Sequence, residues 1–274
     1  MKVKLSDGRT VRYWSGGASP GPVVLFFHGC PDTRRIAMTG EQAAQDAGVR
    51  LLCVNRPGYG SSTPTASTPA SVARDATELL DLWGVDEAAV LGMSVGAMYA
   101  AAFAATYPER TKLLGLVSAP GPGEPTDETL EESMARMRPD FEDWRDRIDP
   151  DDEDDAALAA RFLAELPPSD ADLLRPLGDE AVAAMIWEAV TNPEGYLRDA
   201  ALVLRPWDVD LAAVRCPAFI WCGDRDDKAV AATDWWAYRL PGPIDVEVEP
   251  ATTHLAALLR RWPEILHRLG TARD

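Results

Sequence analysis

The chain has 274 residues, 46% hydrophobic and 26% charged, a soluble globular balance with room for one large core and an insertion. Its formal net charge of −17 argues against nucleic acid or an anionic membrane as a partner, since both require a basic face. No stretch nears the roughly 18 apolar residues of a membrane span, and the N-terminus lacks an apolar signal core. Four cysteines without CxxC spacing and three histidines give no zinc pattern, so a reducing, cytoplasmic setting is expected.

In chain order, "KVKL" and "TVRYW" flank the turn "SDG" and read as an N-terminal hairpin. "PVVLFFHG" (22–29) is a buried strand ending at a glycine; a helix near 35–47 and the strand "VRLLCVN" (49–55) follow. After the loop "RPGYGSSTPTASTP" comes a helix with Val72, Ala76, Leu79, Leu80 and Trp83 on one face. Next are the strand "AAVLGM" (88–93), a helix over 95–107 and the strand "KLLGLVSA" (112–119). Short strands alternating with helices predict α/β units around a mostly parallel sheet.

That alternation breaks over 121–205, where helices are expected at 126–137, 154–165, 179–191 and 194–203 between proline-rich joints. Residues 121–210 hold 25 Asp or Glu against 8 Arg and no Lys, a balance of −17 that equals that of the whole chain. The segment reads as an acidic helical cap inserted between sheet strands, with 1–120 and 206–274 forming the sheet domain. Its acids serve either to solvate a helical layer or to draw cationic substrates toward a cleft. The run "DPDDEDD" (149–155) is the most plainly solvated part. Apolar residues such as Met134, Met137, Phe141, Trp144, Met185, Trp187 and Trp207 are better candidates to meet an acyl group, with most of them expected in the core of the cap. Alternation then resumes with the strand "CPAFIWCG" (216–223), a helix at 229–239, the strand "IDVEVEP" and a last helix over 254–269, interrupted by Pro263.

One polar residue stands out. Gly92-Met93-Ser94-Val95-Gly96 fits G-x-S-x-G between a strand and a small-residue helix, the setting of a nucleophile elbow. The serine hydroxyl needs a base. His267 lies in the last helix, where a solvent-facing role fits best, and His28 ends a strand. His254 opens the last helix from a late loop, the placement that suits a base lowered onto the sheet edge. Three acids, Asp224, Asp226 and Asp227, follow the strand ending at Gly223, and each also suits a turn.

With "HGCP" at 28–31, "NRPGYGSS" at 55–62, "GMSVG" at 92–96, "GDRDD" at 223–227 and "TTH" at 252–254, the chain resembles an α/β-hydrolase. The five pieces stand in that family's order, and the likeness covers nearly everything outside the cap. The resemblance implies an eight-stranded, mostly parallel sheet flanked by helices. It also implies a Ser94–Asp226–His254 triad, with Asp226 chosen as the third residue after the strand-ending glycine. The oxyanion hole falls to the N–H groups of Cys30 and Val95. His28 and Gly29 are then structural members of the oxyanion turn, and Arg56 and Tyr59 shape that turn. No metal or organic cofactor is implied, and the partner is a small-molecule acyl substrate; nothing in the sequence sets an oligomeric state. Ser94 in the elbow sets the chain apart from relatives with an aspartate nucleophile. Proline iminopeptidases resemble it too, but their "HGGPG" is here "HGCPD".

Overall fold

The structure, a computed structural model, describes residues 1–271. Strands β1 (Lys2–Lys4) and β2 (Thr10–Gly17) form the expected hairpin, with Val3 opposite Val11. Six more strands follow: β3 (Val23–Phe27), β4 (Arg50–Val54), β5 (Ala88–Met93), β6 (Thr111–Val117), β7 (Ala218–Gly223) and β8 (Ile244–Glu249). They make one eight-stranded sheet in the order β1-β2-β4-β3-β5-β6-β7-β8. The β1–β2 and β2–β4 pairs are antiparallel, and every later pair is parallel.

Helices α1 (Glu41–Asp46), α2 (Pro69–Leu82) and α3 (Gly96–Thr106) connect the first strands. Five helices lie between β6 and β7: α4 (Leu130–Ile148), α5 (Asp155–Ala164), α6 (Pro168–Leu174), α7 (Asp179–Val190) and α8 (Pro193–Val203). After them come α9 (Asp227–Arg239), α10 (Ala256–Leu259) and α11 (Trp262–Gly270). Among the described residues no helix is long and apolar enough to cross a membrane.

The unbroken apolar run of β3 follows from its two covered faces. Val24 and Phe26 face Ala44 of α1 and Trp262 and Ile265 of α11. Val23, Leu25 and Phe27 point the other way, toward Val72 and Ala76 of α2 and Phe103 of α3.

Three local expectations change. The helix near 35–47 begins as a 3-10 turn, Arg34–Gly40, capped by the Thr33 side chain. The helix expected at 126–137 starts at Leu130, behind a Thr129–Glu132 capping box, and runs through Pro139 to Ile148. Phe141 and Ile148 continue its buried face beyond the proline, so packing outweighs the lost hydrogen bond. Helix α6 was not expected: Pro167-Pro168 reads as a joint, yet Pro168 sits at a helix start, where its missing N–H costs nothing.

The C-terminal ends of β3, β5, β7 and the β8 loop gather on one edge, and α3 sets their spacing. A Cβ added to Gly96 would overlap the carbonyl oxygen of Phe27, so α3 begins hard against the end of β3. We therefore expect Gly96→Ala to cost at least about 2 kcal/mol, because backbone rather than a movable side chain fills the space. In thermal unfolding that is a fall of roughly 4–8 °C. A melting temperature within about 2 °C of wild type would mean that α3 has room to retreat.

Candidate active site

Ser94 follows β5 directly and has φ 54°, a left-handed conformation unusual for a residue with a Cβ. Its N–H donates to the carbonyl of Val117 at 2.9 Å and its carbonyl accepts from the Ala97 N–H at 2.9 Å, so both sides of the turn are tied. A Cβ on Gly92 would stand 2.5 Å from the Gly96 carbonyl oxygen, which explains the first glycine of the motif. The tight turn exposes Ser94 to two cavities.

His254 comes from the loop after β8. Its Nδ1 lies 2.5 Å from Asp226 Oδ2, and its backbone carbonyl accepts from the Ser118 hydroxyl at 2.8 Å. Asp226 caps α9, its Oδ1 accepting from the Ala229 N–H at 3.2 Å. Burial opposes the charge of Asp226. The His254 contact and the Ala229 N–H outweigh it and hold the carboxyl below the usual aspartate range. Of the other two acids, Asp224 takes the Thr252 N–H at 3.3 Å, and Asp227 is exposed in the first turn of α9. His267 is exposed on α11.

The turn after β3 carries His28, Gly29, Cys30 and Asp32. Burial, aided by the Arg56 charge, drives the His28 imidazole well below its ordinary value and keeps it neutral. Its Nδ1 therefore donates to the Gly29 carbonyl, at 2.8 Å. Arg56 donates to the same turn, Nη1 to the His28 carbonyl at 2.6 Å and Nη2 to the Gly29 carbonyl at 2.9 Å. Burial pushes the Cys30 thiol up, so it is no nucleophile. Among the described residues neither the Cys30 nor the Val95 N–H has a backbone acceptor.

The larger cavity, about 730 Å³, runs from Ser94 and His254 past Pro120–Gly123 to Leu204, Lys228 and Trp235. The smaller, about 240 Å³, lies between the β3 turn and the inserted helices. Phe162, Leu166, Leu174, Met185 and Ile186 line it, together with two carboxylates, Asp32 and Asp170. Burial pushes Asp32 up to about 6, against the pull of His254 and Arg56. Asp170 accepts from the Thr253 hydroxyl, next to His254.

Ser94, Asp226 and His254 thus all line the larger cavity together with Val95, while Cys30 lines the smaller one, which Ser94 and His254 share. His28 lies behind the turn and lines neither cavity. Of the apolar residues expected to meet an acyl group, Met185 alone lines a cavity at Ser94. Met134 and Phe141 are buried among the inserted helices, and Trp144 stacks on Tyr196. Trp207 packs on Trp235 and Trp236, and Trp187 is 49% exposed beside the acidic run. Sequence reasoning missed Asp32 and Asp170 at the smaller cavity; the departure of "HGCPD" from "HGGPG" was the one available signal, and it marks Asp32.

The alpha/beta hydrolase fold model matches residues 22–260. A pimeloyl-[acyl-carrier protein] methyl ester esterase from Chromobacterium violaceum is 30% identical over 247 residues, 85% of this chain and 87% of that protein. An epoxide hydrolase from Caballeronia sordidicola is 35% identical over 104 residues, 36% of this chain, which spans about a third (32%) of that relative. Among solved structures, a thermophilic esterase from Thermogutta terrifontis superposes with a TM-score of 0.72 at 23% identity, covering 99% of this chain and 100% of that one. The match of sheet order, gathered loops and family model over most of its length leads to one conclusion: this chain belongs to the alpha/beta hydrolase fold family.

Proposed function

We propose that the protein is a serine hydrolase that cleaves an ester or related acyl bond of a small molecule through an acyl-enzyme. The observation that carries this reading is the His254–Asp226 contact of 2.5 Å beside a serine held at positive φ. The esterase relative that it matches over most of both chains supports it. Ser94 attacks the carbonyl carbon while His254 takes its proton, and Asp226 orients the imidazole and stabilises its charged form. The Cys30 and Val95 N–H groups hold the developing oxyanion. His254 returns the proton to the leaving alkoxide, then activates a water that releases the acid. Residues 121–205 act as a cap over the site, and 1–120 with 206–274 form the hydrolase core.

A second reading concerns the acyl group. Asp32 and Asp170, set among apolar walls beside Ser94, suit an aminoacyl substrate whose cation they face. The acidic run 149–155 does not line either cavity at Ser94. Asp151 and Asp152 pair with Arg145 and Arg161, and Asp154 caps α5.

Ser94→Ala should abolish labelling by a fluorophosphonate probe and lower kcat on any ester turned over by at least about 10³-fold, the loss expected when one member of a cooperating set is removed. Asp226→Asn should cost orders of magnitude, and Asp224→Asn little. Labelling retained in Ser94→Ala would place the nucleophile elsewhere. A folded protein that neither labels nor turns over acyl esters and amides would point instead to a silent ligand receptor.

Asp32→Asn tests the second reading. An acid held near 6 favours the folded state most when protonated, so wild-type stability falls as pH rises from about 3.8 to about 6. The neutral variant escapes that loss. It should therefore gain on wild type across this window by at most about 3 kcal/mol. On wild type, kcat/KM for a quaternary-ammonium acyl ester over its neutral isostere should rise as pH passes through about 6, where Asp32 ionises in the folded protein, and on the variant it should stay flat. Parallel profiles would remove Asp32 from recognition. Replacing Asp151, Asp152, Asp154 and Asp155 together by Asn should leave kcat/KM for a neutral ester within about twofold, since screened surface charges act weakly at a distance. A tenfold loss in the folded variant would show that the run takes part in recognition.

A further inference from the structure

Helix α8 brings one carboxylate, Asp199, into the interior behind the oxyanion turn, where it is 2% exposed. Four donors converge on it. Oδ2 accepts from Arg56 Nε at 2.9 Å, Arg56 Nη2 at 2.5 Å and the Tyr59 hydroxyl at 2.7 Å; Oδ1 accepts from the Tyr99 hydroxyl at 2.6 Å. Burial keeps both tyrosines in their neutral, donating form. Burial also disfavours the Arg56 cation, but Asp199 more than offsets this and holds it charged.

The far side of the guanidinium does something else. Nη1 and Nη2 hold the carbonyls of His28 and Gly29. The Gly29 carbonyl and the Cys30 N–H belong to one peptide unit, which is planar and trans. In such a unit the C=O and N–H vectors are antiparallel. Drawing the Gly29 oxygen toward Arg56 therefore turns the Cys30 N–H the opposite way, toward the space beside Ser94. A guanidinium free to rotate could not do this; Asp199 fixes it from behind, its Oδ2 taking both Nε and Nη2.

We infer that Asp199 is a positioning residue for the reaction, supplied by the inserted helices, which sets the Cys30 oxyanion donor by locking Arg56 onto the His28 and Gly29 carbonyls. This rests on the serine-hydrolase reading. It makes α8 part of the catalytic scaffold rather than only a wall of the substrate cavity. The seat of α8 does not depend on Asp199 alone. A Cβ on Gly58 would lie 2.7 Å from the Gly195 nitrogen, so two backbones meet there, and the preceding helix α7 is held separately, the Gly60 N–H donating to the Glu188 carbonyl at 2.9 Å.

The experiment compares two buried links between the insertion and the core. Asp199→Asn removes the charge that locks Arg56. Glu188→Gln breaks the pair with Arg34 and Arg35, which touches neither Arg56 nor the His28–Gly29 carbonyls. Arg56→Lys keeps a cation for Asp199 but loses the fork, which guards against misfolding of the first variant. Rates on a neutral ester are normalised to sites titrated with a fluorophosphonate. Asp199→Asn and Arg56→Lys should lower kcat about 10- to 100-fold with KM within about threefold, short of losing a donor outright. Affinity for a trifluoromethyl ketone, which forms a tetrahedral oxyanion adduct, should fall in the same proportion. Glu188→Gln should lower the melting temperature and leave kcat per titrated site within about twofold. If Arg56→Lys and any folded Asp199→Asn keep wild-type kcat, or lose it only as much as Glu188→Gln does, the link is merely structural and the inference fails. Turnover that survives in Ser94→Ala would instead sink the serine-hydrolase reading beneath it.

Discussion

The turn at Ser94 is the constraint on which the site depends. A side chain at φ 54° costs on the order of 1–2 kcal/mol relative to an ordinary conformation. It persists because its surroundings allow nothing else. The Ser94 N–H is drawn to Val117 on β6, and α3 cannot slide because Gly96 abuts the end of β3. Every residue of α3 from Gly96 to Ala104 is buried, so moving the helix to relax one dihedral would disturb apolar contacts worth more than the strain. The strained turn thus draws its stability from the sheet and its neighbours.

The inserted helices meet the sheet through charge as well as apolar contact. Glu188 of α7 takes Arg34, Arg35 and Asn55, and Asp199 of α8 takes Arg56, Tyr59 and Tyr99. Desolvating ions costs several kcal/mol each, so such pairs add little net stability. Their contribution is directional, because a carboxylate and a guanidinium fork fit in few arrangements. Apolar packing alone would let the helices settle at several angles over the cavity. Each acid restricts its own helix, Glu188 fixing α7 on Arg34 and Arg35 and Asp199 fixing α8 on Arg56 behind the oxyanion turn.

How far all this could be read from the sequence follows the range of the interactions. Strands with continuous apolar runs, the G-x-S-x-G turn and the order of the five motifs depend on neighbours in the chain, and they were legible. Asp226 was chosen over Asp224 and Asp227 through the resemblance alone, and the structure places that residue 2.5 Å from His254. Helix α4 was cut short because Pro139 ends a helix by local rules, while Phe141 and Ile148 extend it through contacts made elsewhere. Asp199 shows the limit. In an acidic, amphipathic segment it looks like any solvated carboxylate, and its partner Arg56 is 143 residues away. Only the folded chain gives it a distinct role.

The same distinction decides what the net charge of −17 can do. Most of it sits on helices whose acids face solvent, where water and salt reduce a unit charge to little beyond about 8–10 Å. The run 149–155 is of this kind, holding its own arginines and standing outside the two cavities at Ser94. Asp32 and Asp170 differ in setting rather than number. Enclosed by Phe162, Leu166 and Met185, they act through a medium that screens them far less. The raised pKa of Asp32 is the mark of that medium, since the same burial that resists its charge also strengthens its hold on a cation. On the proposed aminoacyl reading, it is therefore these two enclosed carboxylates rather than the many exposed ones that would govern substrate choice.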